Sequence, residues 1–396
     1  MIQSVSIRSF KSLLDVEVDL GRINVFVGAN GSGKSNLLEA IGTLGAAANG
    51  RVDDEALLRR GVRPGVPALY KSSFAGTRMR GSIRIAAKTT KAEYAVELIN
   101  PIQNPEPAWT FKNERLNEGK ERRVVGRSPA TYEQLDPQRG LAALRAVELK
   151  PDAPASMLLR ELAEYAIYSP NTNVLRGIAP DPQHREPVGL AGGRLPEATL
   201  ALLRAKRESP GIATVSSDVR EMIDWASSYG ARKTTGQLLL SPSIASSQRI
   251  LYFKDRFMAE GRNHLTGYDA SEGALYVLFA AVLATLPSAP PLLAIDNADH
   301  GLNPRLARAL VRNLCEWVIA GPRNKQMLLT THNPLVLDGL PLDNDDVRLF
   351  AVGRSRKGHT TVNRIRVDQE DLQRDGELWT VSRLWVMGHF GGMPDV

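Results

Sequence analysis

The stretch Ile23–Ile41, INVFVGANGSGKSNLLEAI, decides how the rest of the chain is read. Gly28, Gly33, Lys34 and Ser35 fit the pattern G-x-x-x-x-G-K-[ST], and they stand between an apolar run, Ile23–Val27, and a helical pattern. That context is what a phosphate cradle requires. Glycines enter backbone conformations closed to residues that carry a Cβ. Successive N–H groups along Gly28, Asn30, Gly31, Ser32, Gly33 and Asn36 can therefore converge on a phosphate at a helix N-terminus. Lys34 supplies a point charge to the β- and γ-phosphates, and the Ser35 hydroxyl suits Mg²⁺. ATP with Mg²⁺ is the expected ligand.

Such a cradle needs a second metal contact from a neighbouring strand. Asp296 meets that need in LLAIDNADHGLNP, Leu292–Pro304, where it closes an apolar run. An apolar strand ending in Asp is common by itself; the pairing with the cradle gives it meaning. Between the two motifs lies DASEGALYVLFAAVL, in which Ser271, Glu272 and Gly273 open an apolar helix. A helix N-terminus with a small hydroxyl residue and a glycine favours anions, although ordinary capping explains an isolated S-x-G equally well. After Asp296, TTHNP sets His332 just past a strand, where a side chain can face bound nucleotide or simply be solvated.

The composition excludes several classes. With 396 residues, 43% of them hydrophobic and 23% charged, the chain is an ordinary globular protein. Its longest apolar run, from Gly273, falls short of the roughly 20 residues that cross a bilayer, so no membrane partner is expected. The N-terminus alternates apolar and polar residues like a strand and lacks the apolar core of a secretory signal. The single cysteine, Cys315, cannot form an internal disulfide. These features point to the cytoplasm. The net charge of +7 is concentrated in residues 51–130, which hold 16 Lys and Arg against 9 Asp and Glu. There Arg78, Arg80 and Arg84 alternate as one face of a strand would, with Lys88 and Lys91 beyond, which makes DNA a candidate partner. A solvated, charge-rich sheet gives the same count. The histidines other than His332 lack metal-ligand spacing, and no zinc site is expected.

Three segments follow from the pattern. Residues 1–140 form an N-terminal lobe with the cradle and an antiparallel β subdomain, built from stretches such as GSIRIAAK and EYAVELI. Residues 141–266 turn helical but are cut by Pro151, Pro154, Pro170, Pro180 and Pro210, so a compact helical insertion is expected rather than a long coiled coil. Within it Pro196 reads as a helix start, and Asp218 with Glu221 as a cap before Met222 and Ile223. Residues 267–396 return to α/β order.

The order of these pieces resembles the ABC-type ATPases of the RecF, SMC and OLD branch. SIRSFKSLLDVEVDLGRINVFVGANGSGKSNLLEAI is similar to their N-terminal lobe, SEG to their signature motif, LLAIDNADHGLNP to Walker B with the D-loop, and TTHNP to their switch histidine. The resemblance implies an α/β fold: a P-loop NTPase of the ABC-type head, with an antiparallel β subdomain and a helical insertion. It also implies a composite site, with ATP on Gly28–Asn36 of one protomer capped by Ser271 and Gly273 of another. A homodimer or higher homo-oligomer is then the expected assembly. In such relatives the residue after the Walker B aspartate is a glutamate that polarises the attacking water. Asn297 stands there, and an amide cannot take a proton. Asp299 or His332 is the alternative base.

Two readings stay open: a slow ATPase that drives a dimer cycle, and an ATP-held scaffold with vestigial hydrolysis. Asn297→Glu is expected to speed hydrolysis unless another residue already acts as base. A small-molecule P-loop kinase has no reason to carry the SEG and TTHNP elements, and a transporter motor usually carries a longer signature. OLD-like relatives often join a Toprim nuclease, but the roughly sixty residues after His332 leave no room for one, so a nuclease is expected on a separate effector protein. Stand-alone ATPases of this appearance are commonly half of two-component antiviral or toxin–antitoxin-like systems in bacteria; a RecF-like role in DNA repair is the alternative.

Overall fold

The computed structural model describes residues 1–76, 80–119, 122–127, 135–233, 249–322, 324–367, 372–374 and 377–390. Strands are numbered in chain order: β1 (Ser4–Phe10), β2 (Leu13–Asp19), β3 (Ile23–Val27), β4 (Ser82–Lys88), β5 (Ala92–Ile99), β6 (Thr110–Glu118), β7 (Arg122–Arg127), β8 (Ala166–Tyr168), β9 (Ala226–Lys233), β10 (Arg249–Asp255), β11 (His264–Thr266), β12 (Leu292–Ile295), β13 (Gln326–Thr331), β14 (Val347–Arg354) and β15 (Thr360–Ile365).

The central sheet has the order β15-β14-β3-β13-β12-β8 and is parallel except for its edge strand β15. Its inner strands read as unbroken apolar runs because both faces are covered. On one face Val25, Leu293, Leu329 and Leu349 join a core with the helices Glu272–Thr285 and Pro304–Ala320. On the other, Phe26, Ala294, Leu328 and Phe350 join a second core with the helix Lys34–Ala48. That second core also takes the buried face of an antiparallel sheet, order β2-β1-β4-β5-β6-β7, whose strands alternate buried and exposed residues as a half-solvated sheet must. The apolar run from Gly273 is accordingly a core helix. No helix of the described residues is long and apolar enough to cross a membrane.

The middle segment differs from its sequence reading in two respects. Besides helices Pro154–Glu164, Leu195–Ala205 and Pro210–Met222, it contributes β8 to the central sheet and a small antiparallel sheet, β11-β10-β9. Asp218 and Glu221 lie at the end of a helix, not at its start: Pro210 occupies the first turn, and the Asp218 carboxylate accepts from Trp317 Nε1 at 2.7 Å. The proline's fixed φ was the stronger start signal. Pro196 does stand in the first turn of its helix.

Candidate functional site

Parallel pairing sets the C-terminal ends of β3, β13 and β12 side by side, with Val27 opposite Thr331 and Leu329 opposite Ile295. The loops that leave those ends carry Gly28–Ser32, His332 and Asp296. An open α/β sheet offers its ligand crevice at this edge.

The cradle's glycines are required by geometry at two positions. A Cβ on Gly28 would come within 2.1 Å of the Val352 carbonyl, and Gly33 has a φ of +109°. The loop is braced from outside: Thr360 Oγ1 lies 2.7 Å from both the Ser12 hydroxyl and the Ser32 carbonyl, Asn36 donates to Ser12 at 2.7 Å, and Arg354 Nε donates to the Gly31 carbonyl at 2.9 Å. Asn30 and Gly31 are exposed at the rim. Lys34 donates to the carbonyls of Gly28 and Ala29 at 2.8 and 3.0 Å, folded over the loop. Burial lowers its pKa, an effect that Asp296 and Asp299 oppose.

Ser35 donates to the Asp296 carboxylate, 2.9 Å from Oδ2 and 3.2 Å from Oδ1, and Thr330 Oγ1 lies 2.5 Å from Oδ1. This hydroxyl–carboxylate set of hard oxygens fits Mg²⁺, which typically takes one or two protein oxygens and completes its octahedron with water and substrate phosphates. No cluster of three or more His, Cys, Asp or Glu fit to hold a metal occurs among the described residues.

Asn297 has a φ of +55°, in the left-handed region that asparagine enters more readily than longer side chains. Its backbone N–H donates to Thr330 Oγ1 at 2.8 Å, and its carbonyl accepts from His300 N at 3.0 Å. Asp299 is only 6% exposed, and its Oδ1 has no hydrogen-bond partner among the described residues. The exposed His332 places Nε2 4.0 Å from Asp299 Oδ2. Asn303 caps the helix Pro304–Ala320 by accepting from Leu306 N. Capping accounts for that residue without chemistry.

Ser271 is exposed at the N-terminus of its helix, which has no side-chain cap. The hydroxyl accepts from Trp225 Nε1 at 3.2 Å and faces a cleft of about 820 Å³ lined by Trp225, Glu272, Gly273 and Arg305 among others. None of residues 28–36 lines that cleft. The structure therefore brings Gly28–Asn36, Asp296, Asn297, Asp299 and His332 to one sheet edge and opens Ser271 and Gly273 onto a separate cleft.

Among the basic residues, Arg80 and Arg84 share a cleft of about 790 Å³ with Arg8 and Lys112. Arg84 and Lys88 are exposed on the same face of β4, but Arg84 and Lys112 both pair with Glu97. Lys91 is exposed in the turn after β4, and Arg78 lies outside the described residues. Sequence reasoning missed Thr330, Trp225, Ser12 and Thr360. Only Thr330 left a local signal, a hydroxyl at the end of the strand that precedes His332.

A P-loop cradle, a Walker B carboxylate across an intervening strand and a packed antiparallel lobe give the fold of an ABC-type P-loop ATPase head. Residues 23–338 match the family described as "AAA domain, putative AbiEii toxin, Type IV TA system", and the chain belongs to that family. Membership implies nucleotide binding, usually with Mg²⁺, and ATP hydrolysis in general terms. A DNA replication and repair protein RecF from Renibacterium salmoninarum is 30% identical over 105 residues, 26% of each chain; the match thus spans about a quarter of that relative. An Smc head solved bound to the C-terminal winged-helix domain of ScpA superposes with a TM-score of 0.52 at 14% identity, covering 93% of this chain and 98% of that one. That likeness shows the fold. The SMC head of Thermotoga maritima gives a TM-score of 0.47 at 15% identity over 92% of this chain and 99% of that chain.

Proposed function

We propose that this protein is an ATP-driven switch. ATP held by the cradle of one copy is capped by the Ser271 helix tip and Gly273 of a second, so binding closes a homodimer and hydrolysis opens it. The cycle controls a separate effector protein. The observation that carries this reading is the separation, within one chain, of two anion-seeking elements: a braced cradle at the sheet edge, and an uncapped helix tip on another cleft. A γ-phosphate between two copies satisfies both, and its loss removes contacts that only the closed state makes. Ser35 and Asp296 hold the metal, which neutralises charge on the β- and γ-phosphates when bound.

Phosphate release measured with ATP and Mg²⁺ tests the enzymatic half. Magnesium-dependent turnover abolished by Lys34→Ala supports it; tight ATP binding without turnover leaves a scaffold held closed by nucleotide. The family's description as a putative toxin of a type IV TA system supports a toxin–antitoxin-like setting, of which bacterial antiviral defence is the form proposed, and phage challenge of cells with and without the gene tests it. Equal plaque counts speak against it.

A second reading, nucleic-acid binding of a RecF-like kind, is favoured by the basic cleft of Arg8, Arg80, Arg84 and Lys112. Charge reversal of Arg78, Arg80 and Arg84 is then expected to flatten the salt dependence of DNA binding, each lost phosphate contact removing about 0.9 from the log–log slope. Wild-type protein that binds no DNA at low salt eliminates this reading.

A further inference from the structure

We propose that Asp299 is the carboxylate that takes the proton of the attacking water, the role Asn297 lacks. This rests on the reading of the cradle as an ATP site. A carboxylate that is 6% exposed, with one oxygen lacking a hydrogen-bond partner among the described residues, is costly to keep in a fold. Such groups are retained where chemistry uses them. Asp299 stands three residues beyond Asp296 on the loop that leaves β12, at the same sheet edge as the cradle, and its charge reaches the Lys34 ammonium. The loop is held in place: the His300 ring lies 5.8 Å from that of Tyr276 on the Ser271 helix, and Leu302 N donates to the Asp299 carbonyl at 3.3 Å.

Asn297 serves a different end. Its left-handed backbone and its bonds to Thr330 and His300 make it the turn residue that brings Asp299 back toward the edge. A glutamate at that position meets a backbone conformation it enters less readily. The sequence expectation for Asn297→Glu is thereby reversed: no gain in rate is expected.

In the reaction, the water oxygen bonds to the γ-phosphorus and its proton passes to Asp299 Oδ2, the oxygen on the side of the exposed His332, because Oδ1 is closed to solvent. The bond from the γ-phosphorus to the β–γ bridging oxygen breaks, leaving ADP and inorganic phosphate. The proton leaves to solvent, with His332 Nε2, 4.0 Å from Oδ2, on the exposed side of the carboxylate.

The test measures kcat for phosphate release and ATP affinity on the full chain, with thermal melting as a check on folding. Asp299→Asn is expected to lower kcat by about 10²- to 10⁴-fold while ATP affinity changes by less than about threefold. Asn297→Ala is expected to lower kcat less than Asp299→Asn does. Should Asp299→Asn fail to fold, Asp299→Ala replaces it. In that variant added formate, a small carboxylate, is expected to restore part of the turnover. The proposal is overturned by Asp299→Asn within about threefold of wild type, by no formate rescue, by a gain of tenfold or more with Asn297→Glu, or by a wild type without turnover. Loss of ATP binding in Lys34→Ala is read separately, so failure of the base leaves the nucleotide site standing.

Discussion

The cradle and the Ser271 helix tip are both helix N-termini suited to anions, and they are built in opposite ways. The cradle is closed on itself: Lys34 bonds its own loop, Ser35 bonds Asp296, and Ser12, Thr360 and Arg354 brace the loop from three directions. At the helix tip Trp225 bonds the Ser271 hydroxyl and Thr172 the Glu272 carboxylate, but among the described residues no side chain caps the helix, and an open cleft lies in front of it. A site complete within one chain can bind ligand unaided, whereas an uncapped tip retains free N–H donors for a surface that arrives later. Under the proposed function, the difference separates nucleotide binding, a property of the monomer, from closure, a property of the pair.

Lys34→Ala should produce the largest effect, weakening ATP binding about a hundredfold, or about 2.7 kcal/mol, by loss of charge-assisted bonds to phosphate. Titration with a fluorescent ATP analogue reads it, and retained affinity would mean that the lysine stays folded on Gly28 and Ala29. Ser271→Arg is next. It fills the space before the helix tip and should weaken the ATP-dependent dimer at least about tenfold, some 1.4 kcal/mol, while the monomer still binds ATP. Sedimentation with ATP and Mg²⁺ distinguishes the two, and equal loss of nucleotide affinity would merge the regions this account separates.

Thr330→Val should cost about 1 kcal/mol of stability in urea unfolding, because it removes the oxygen that accepts from Asn297 N and touches Asp296. An unchanged midpoint would show that the Walker B loop does not depend on that strand. The smallest effect concerns the antiparallel lobe. Burial pushes the Glu97 carboxyl up, but hydrogen bonds from Ser82, Lys112, Asn113 and Arg84 outweigh it and hold the pKa at about 2. A depressed folded pKa contributes stability that is present above the unfolded value of about 4.3 and lost as pH falls toward 2. Wild type should thus lose more stability between pH 5 and pH 3 than Glu97→Gln; parallel losses would remove Glu97 from the account.

The motifs whose chemistry is local were legible in the sequence. Gly28 to Ser35 follows a strand and opens a helix, Asp296 ends an apolar run, and a both-faces-buried sheet writes its strands as unbroken apolar stretches. What escaped depends on tertiary placement. β8 is three residues long, too short for any period to emerge, and β9, ASSYGARK, is mostly polar. Ser12 and Thr360 meet under the cradle across 348 positions of sequence. Asp299 was visible as an acid near Walker B, but its burial and its unpartnered oxygen were not, and those properties distinguish it from an ordinary loop aspartate.

The most direct test of the central claim uses Asp299→Asn, expected to bind ATP without hydrolysing it. Its mass in solution with ATP and Mg²⁺ should be twice that of the chain, and Ser271→Arg added in the same chain should return it to one. A single-chain mass at saturating ATP, or a dimer indifferent to Ser271→Arg, would contradict closure through the helix tip.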